Sequence, residues 1–356
     1  MTALVRMVPL PIMLLFSTLL SPAAEAQDLG AEALSREEVT THSSEAVATS
    51  ALERLEAELA RIGPLSGGTL GIHAVHLETG RSVGLNSDET FPMASTYKVP
   101  MAYQLLRRVD AGQVRLDSLV YLEPHHFSPG SGTLSDLFIQ PGVALSVRNL
   151  LELMLLISDN TATDLVLEIA GGPEAVSTAM VDGGFAGVRV DRSTLRLIAD
   201  WIGVEGVEEG PGHNLERFRE LSDAISDEAR TRAGEAFATD PRDTATPQSM
   251  AALLAAIWRD EGLSAESAAL LRDIMDRCRT GEGRIRGLLP EFVNTANKTG
   301  TIGGSLNDVG AIELPDGGGT VVVAAFIRDS DQPNPRREAA LAGAVRAIYD
   351  YFLFNP

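Results

Sequence analysis

Strand-like segments stand near both ends of this chain, and most of what lies between them has the periodicity of helix. Gly68 to His76 and Arg81 to Leu85 read as two strands joined around Thr79-Gly80. Strand signals return only at Phe292 to Asn297, Asp308 to Leu314 and Thr320 to Ile327. The stretch from Ser95 to about Asp260 is mostly helical in pattern, and helices are also expected over Ala48 to Ile62 and Arg336 to Phe354. This order predicts an α/β (α+β) fold. One antiparallel sheet is built from both chain ends and flanked by helices, with an all-helical subdomain inserted at about residues 95–260. At 356 residues and 44% hydrophobic, the chain can bury such a core.

The amino end reads as a targeting segment. Arg6 precedes an apolar run of 13 residues, Val8 to Leu20, and Ala24-Glu25-Ala26 offers a cleavage site. The run is shorter than a membrane span. Residues 1–26 are therefore expected to be a signal peptide, with export to the periplasm or beyond and no membrane attachment after cleavage. Residues 27–47 are polar and acidic, like a solvated linker.

A formal charge of -20 argues against nucleic acid or an anionic membrane as partner. The single cysteine, Cys278, cannot form an internal disulfide and reads as a bystander thiol. His73 and His76 fall on opposite faces of a strand, and His125-His126 lacks a partner at ligand spacing, so no zinc site is expected. Gly317-Gly318-Gly319 reads as a hairpin turn. Of 29 basic residues, 27 are arginine and two are lysine, Lys98 and Lys298. Lysine can lose its proton in a protein and arginine cannot. Both lysines sit in chemically suggestive surroundings.

Ser95-Thr96-Tyr97-Lys98 opens a helical stretch, since Pro100 is tolerated only near a helix start. Three residues apart, Ser95 and Lys98 share one helix face, and a desolvated lysine can activate a serine hydroxyl. A capping serine beside a surface charge would look the same locally. Ser158-Asp159-Asn160 lies between two apolar helical runs, where Asp159 or Asn160 can cap the second and the triplet can also face a cleft. Lys298-Thr299-Gly300 closes the strand VNTANKTG; a cation and a hydroxyl there can hold a carboxylate, and the glycine permits close backbone approach. By itself it reads as an ordinary turn.

The three motifs stand 63 and then 140 residues apart, and together they resemble those of the class A serine β-lactamases and the related penicillin-binding proteins. The likeness runs from about Ala48 to Pro356, which reads as a single catalytic domain over residues 48–356. It also includes SDNTATDLVLE, the segment DPRDTATP and NKTGTIGG. The resemblance implies that a β-lactam acylates Ser95, with Lys98 as activator and Ser158 relaying a proton toward the ring nitrogen. It also implies that Asn160 holds the side-chain amide, and Lys298, Thr299 and Gly300 form the carboxylate end. The N–H groups of Ser95 and Thr301 would form the oxyanion hole. Val309 stands where many relatives place an arginine, which makes Arg336 or Arg337 a candidate substitute. No metal or organic cofactor is implied, and a monomer is expected.

One part departs from the family. Asp191-Arg192 matches the start of the loop that supplies a deacylating glutamate, but Thr194 stands at the glutamate's place and Ile198 at that of its asparagine partner. The loop's closing pair would be Arg192 and Asp243, 51 residues apart. An insertion at about 199–236 accounts for that separation. In it Leu215, Phe218, Leu221, Ile225 and Ala229 recur at helical spacing, with Asn214 as cap. Glu205, Glu208, Glu209, Glu216 and Glu220 are candidate replacement bases, or the acids of a lid that faces water. The expectation is a β-lactam hydrolase that releases its acyl group slowly and confers antibiotic resistance. The rivals are a penicillin-binding or DD-peptidase-like protein, a serine esterase, and a non-catalytic sensor of β-lactams or cell-wall peptides.

Overall fold

The computed structural model describes residues 50–138 and 140–355, so the expected signal peptide and acidic linker lie outside the described residues. Helix α1 covers residues 50–62. After it come strands β1 (Thr69–His76), β2 (Ser82–Leu85) and β3 (Phe91–Pro92), a 3₁₀ turn at Ala94–Tyr97, and α2 (Lys98–Asp110). The middle of the chain holds β4 (Leu119–Tyr121), α3 (Leu134–Leu137), β5 (Ala144–Ser146), α4 (Val147–Leu156), α5 (Asn160–Ala170) and α6 (Gly172–Asp182). Next are α7 (Thr194–Ile202), α8 (Leu215–Asp223), α9 (Asp227–Ala238), β6 (Thr244–Ala245), α10 (Pro247–Trp258) and α11 (Ala265–Asp276). The chain then returns through β7 (Thr295–Ile302), β8 (Ser305–Leu314) and β9 (Gly319–Arg328) to α12 (Asn334–Phe354).

The main sheet is antiparallel throughout, in the order β2-β1-β9-β8-β7, so it is assembled from both chain ends. Side chains alternate across a strand, and β9 shows why it lies at the centre. Val321, Val323, Ala325 and Ile327 pack with Leu55 and Leu59 of α1 and with Leu341, Val345 and Ile348 of α12. Val322, Ala324 and Phe326 belong to a second core with residues of α2, α4, α5, α10 and α11. A strand apolar on both faces has to be covered on both, and this one is.

Three expectations need correction. The inserted part is not all helical, because β4 pairs with β5 inside it, and β3 pairs with β6 at its root. Strands of two or three residues are too short to show a period of two. Lys298-Thr299-Gly300 does not close its strand, since β7 continues to Ile302. The insertion forms two helices instead of one, because Ser226 caps α9 by accepting from the Ala229 N–H. A cap can interrupt a helix while the apolar spacing carries on.

Asn307, wholly buried on β8, fastens the sheet to the chain just before Ser95. Its Nδ2 donates to the carbonyls of Pro92 and Met93 at 2.8 Å each, and its Oδ1 accepts from the Ile327 N–H at 3.3 Å. Truncating it removes three buried hydrogen bonds, although the Met93 carbonyl keeps Thr96 as a donor, and each lost bond costs roughly 0.5–1.5 kcal/mol. Asn307→Ala should therefore lower unfolding free energy by about 2–4 kcal/mol, measured by denaturant titration at unchanged slope.

Candidate active site

The 3₁₀ turn at Ala94–Tyr97 carries Ser95 and runs directly into α2, which places Pro100 in the first helical turn. Ser95 is half-buried, while every other residue from Phe91 to Pro100 is buried. Ala94, just before it, is held at φ 46°, a left-handed conformation that costs energy for a residue with a Cβ. Gly300 of β7 passes against this turn. A Cβ at Gly300 would lie 2.5 Å from the Met93 carbonyl oxygen and 3.0 Å from the Ser95 nitrogen, so only glycine allows the approach.

Lys98 lies one turn beyond Ser95 and is fully buried. Its Nζ faces the Ser158 carbonyl at 2.8 Å, the Ser158 hydroxyl at 3.0 Å and Asn160 Oδ1 at 2.9 Å. Those contacts account for three hydrogen bonds, so Lys98 is turned toward the Ser158 triplet. Ser158 sits at φ 61°, and Asp159 caps α5 by accepting from the Ala162 N–H. The Asp159 carboxylate also accepts from the N–H groups of Thr133 at 2.7 Å and Leu134 at 2.9 Å. Asp159 is thus the cap and the anchor, which leaves Ser158 and Asn160 free to face Lys98. Asn160 Nδ2 donates to the Pro129 carbonyl at 2.8 Å.

From the other side Lys298 Nζ reaches the same Ser158 hydroxyl at 3.1 Å and the Thr299 carbonyl at 2.8 Å. Two buried ammonium groups on one hydroxyl disfavour each other's charge. Burial, and then the charge of Lys298, hold Lys98 well below the usual lysine range. Burial brings Lys298 down to about 8. Both ammonium groups are therefore easier to deprotonate than an ordinary lysine, and Lys298 still keeps its proton at neutral pH.

Thr299 Oγ1 is 2.7 Å from Thr280 Oγ1. Arg284, from the loop between α11 and β7, donates to the Gly300 and Asn307 carbonyls at 3.0 and 2.9 Å and to Thr301 Oγ1 at 2.8 Å. The sequence reading missed this arginine. Its only signal is the glycine-bounded segment GRIRG, which has no periodicity. Val309 pairs with Lys298 across the sheet and is buried. Arg336 is exposed and donates to Gln332, while Arg337 donates to the Gly303 carbonyl and to Asn334; neither lines the cleft.

The loop after α6 is closed by Arg192 and Asp243, with Nε to Oδ2 at 2.5 Å across 51 residues. Asp164 of α5 accepts from the N–H groups of Thr194 at 2.6 Å and Leu195 at 3.1 Å and so holds the start of α7. Thr194 Oγ1 is hydrogen-bonded to the Tyr97 hydroxyl, whose pKa burial raises well above its usual value. Thr194 and Ile198 line a cleft of about 450 Å³ together with Ser95, Asn160 and Thr301. Glu205, Glu208, Glu209, Glu216 and Glu220 are all exposed and outside that lining. Asp223 of α8, which the sequence reading does not single out, does line it. Among the described residues, no group of three or more His, Cys, Asp or Glu could hold a metal ion, and no helix is long and apolar enough to cross a membrane.

The mixed helices and antiparallel sheet are those of the class A β-lactamases. Residues 54–352 match the profile of the β-lactamase enzyme family, and the chain belongs to that family. It is 29% identical over 316 residues to β-lactamase AST-1 of Nocardia asteroides, covering 88% of this chain and 87% of that one. It is 24% identical over 277 residues to β-lactamase VEB-1 of Pseudomonas aeruginosa, covering 76% and 80%. An ancestral class A β-lactamase structure is similar at a TM-score of 0.68 and 30% identity, over 83% of this chain and 99% of that one. A β-lactamase from Chitinophaga pinensis has the same fold at a TM-score of 0.69 and 24% identity, over 83% and 98%. Membership makes the chain a β-lactamase-like hydrolase.

The lysine pair sets a pH expectation. If Ser95 is the nucleophile, Lys98 its base and Lys298 the cation that holds a substrate carboxylate, labelling of Ser95 by a penicillin should rise as Lys98 deprotonates. It should then fall as pH passes about 8, where Lys298 loses its proton. Labelling rates measured by mass spectrometry from pH 5 to 10 should trace that bell.

Proposed function

We propose that this chain is an exported serine β-lactamase that forms its acyl-enzyme readily and hydrolyses it slowly, giving antibiotic resistance by trapping or breakdown of the drug. The observation that carries the reading is the Ser158 hydroxyl held between the Lys98 and Lys298 nitrogens, with Ser95 one turn before Lys98 and Thr194 lining the same cleft as Ser95. Neutral Lys98 takes the Ser95 proton, and Ser95 Oγ attacks the lactam carbonyl. The oxyanion is received by the N–H groups of Ser95 and Thr301, an arrangement that the tight passage of Gly300 supports. The ring C–N bond then breaks, and the nitrogen takes a proton through the Ser158 hydroxyl. The substrate carboxylate lies toward Lys298 and Thr299, and the Arg284 guanidinium beside Thr301 adds positive charge at that end. Asn160 meets the side-chain amide. The apolar run before Ala24-Glu25-Ala26 supports export.

Release of the acyl group needs an activated water. Threonine and isoleucine supply no base near neutral pH, and losing a positioned base costs about 100- to 10,000-fold in the step it serves. That feature favours, as a second reading, a penicillin-binding protein in which the adduct persists. A penicillin should give a burst equal to the enzyme present and then slow turnover, with the adduct visible by mass. Ser95→Ala should abolish the adduct in a folded protein; an adduct that survives would move the nucleophile elsewhere.

Lys98→Arg keeps a cation but removes the proton shuttle, and should lower acylation by orders of magnitude. Thr194→Glu puts a carboxylate beside the Tyr97 hydroxyl at the cleft. Release should then quicken at least tenfold with acylation unchanged, as single-turnover kinetics would show. Unaltered release would mean that the site for the water is itself lost.

A further inference from the structure

Behind the start of α7 lies a carboxylate that the acylation steps leave unused. Asp164 of α5 accepts from the Ser128 hydroxyl at 2.6 Å, in addition to the N–H groups of Thr194 and Leu195. Burial raises its pKa above the usual aspartate value, while hydrogen bonds from Ser128, from the N–H and hydroxyl of Thr194 and from the Leu195 N–H pull the other way. A carboxylate shielded in this way takes up a proton more readily than one in water. Thr194 stands between Asp164 and the cleft. Its side lines the cleft with Ser95 and Asn160, and Asp164 is not part of that lining. On the far side Asp164 lines a second cavity of about 370 Å³, together with Ser193 and Leu195, the chain neighbours of Thr194. The segment 193–195 is therefore a thin partition between two cavities, with Thr194 on one face and Asp164 on the other.

The Tyr97 hydroxyl is hydrogen-bonded to Thr194 Oγ1, and burial keeps that phenol protonated and able to donate. A hydroxyl has one proton to give and two lone pairs to receive. With Tyr97 on one lone pair and its own proton directed to Asp164, Thr194 Oγ1 keeps one lone pair for a water in the cleft. We propose that Thr194 relays a proton from the deacylating water to Asp164, so that the slow release draws on a carboxylate outside the cleft. This inference rests on the β-lactam reading and deepens it. The water oxygen attacks the ester carbonyl on Ser95 while one water proton passes to Thr194 Oγ1 and the Thr194 proton passes to Asp164. The bond from that carbonyl carbon to Ser95 Oγ then breaks. The hydrogen left on the attacking oxygen moves to Ser95 Oγ, which leaves the product as a carboxylate. Asp164 gives up its proton to the second cavity.

Asp164 must be ionised to accept, so release should rise with pH through its titration and then level off. The other titratable groups that face it are Tyr97 and Lys98 from the Ser95 turn and α2, and His125, His126, Glu168 and Glu209 around the second cavity. The test follows loss of a preformed benzylpenicillin adduct by mass spectrometry after free drug is removed, so acylation does not enter the rate. Thr194→Val keeps the shape without the hydroxyl and should slow release at least tenfold. Thr194→Ser returns the hydroxyl and should restore most of that loss. In Asp164→Asn, whose amide oxygen can still accept a backbone N–H, release should be slow and should lose its rise between about pH 4 and 8. An Asp164 that only held the loop in place would leave the rise intact. Wild-type release from Thr194→Val, or a rise kept in Asp164→Asn, would overturn the relay and leave the β-lactam reading standing. A wild-type protein that forms no adduct at all would overturn that reading, and the relay with it.

Discussion

Two buried lysine nitrogens share one serine hydroxyl, and the proposed acylation depends on that crowding. Each ammonium raises the cost of charging the other, and burial penalises both. Lys98 is affected more, because it feels both burial and its neighbour's charge. Arginine could serve at neither place in the same way, since it remains charged at any ordinary pH. A chain with 27 arginines and two lysines has therefore put its only deprotonatable long cations where protonation matters.

Holding the two nitrogens there takes strain and fastening in the surrounding backbone. Ala94 and Ser158 both adopt positive φ, and each adjoins a hydrogen-bonded anchor. Asn307 secures the carbonyls before Ser95, and the Asp159 carboxylate receives three backbone N–H groups around Ser158. Both anchors are buried side chains, Asn307 on β8 and Asp159 at the cap of α5, so the strained residues are positioned by the sheet and by the start of α5. The left-handed conformations persist because the rest of the fold leaves them no other.

What could be read from the sequence was local in range. The Ser95 and Lys98 spacing expresses one helical turn, the apolar runs express burial, and Asp159 announces a helix start. The sheet built from both ends followed from strand signals placed at both ends. Arg284 was not legible, because its reach to Gly300 and Thr301 depends on the course of a loop without periodicity. The end of β7 was misplaced for a related reason. Thr299-Gly300 reads as a turn from composition, yet the glycine is there so that the strand can continue past the Met93 carbonyl. In the insertion, apolar spacing ran on through Ile225 while Ser226 began a new helix.

The loop after α6 shows how one half of the site can diverge without disturbing the other. Arg192 is buried and faces three carboxylates: Asp243 at 2.5 Å, Asp200 at 2.8 Å and Asp240 at 3.0 Å. Removing Arg192 would leave three carboxylates facing one another, so the closure resists that change even though the cluster adds little net stability. Thr194 is held independently through its backbone by Asp164, whatever its side chain. With the base of the loop closed and its start pinned to α5, α8 and α9 can occupy the space between without moving Ser95, Lys98 or Ser158. These anchors therefore fix neither the side chain at position 194 nor the course of α8. Ser95, Lys98 and Ser158 are tied to the sheet and the start of α5, and the loop after α6 is tied to α5 through Asp164 and closed by Arg192.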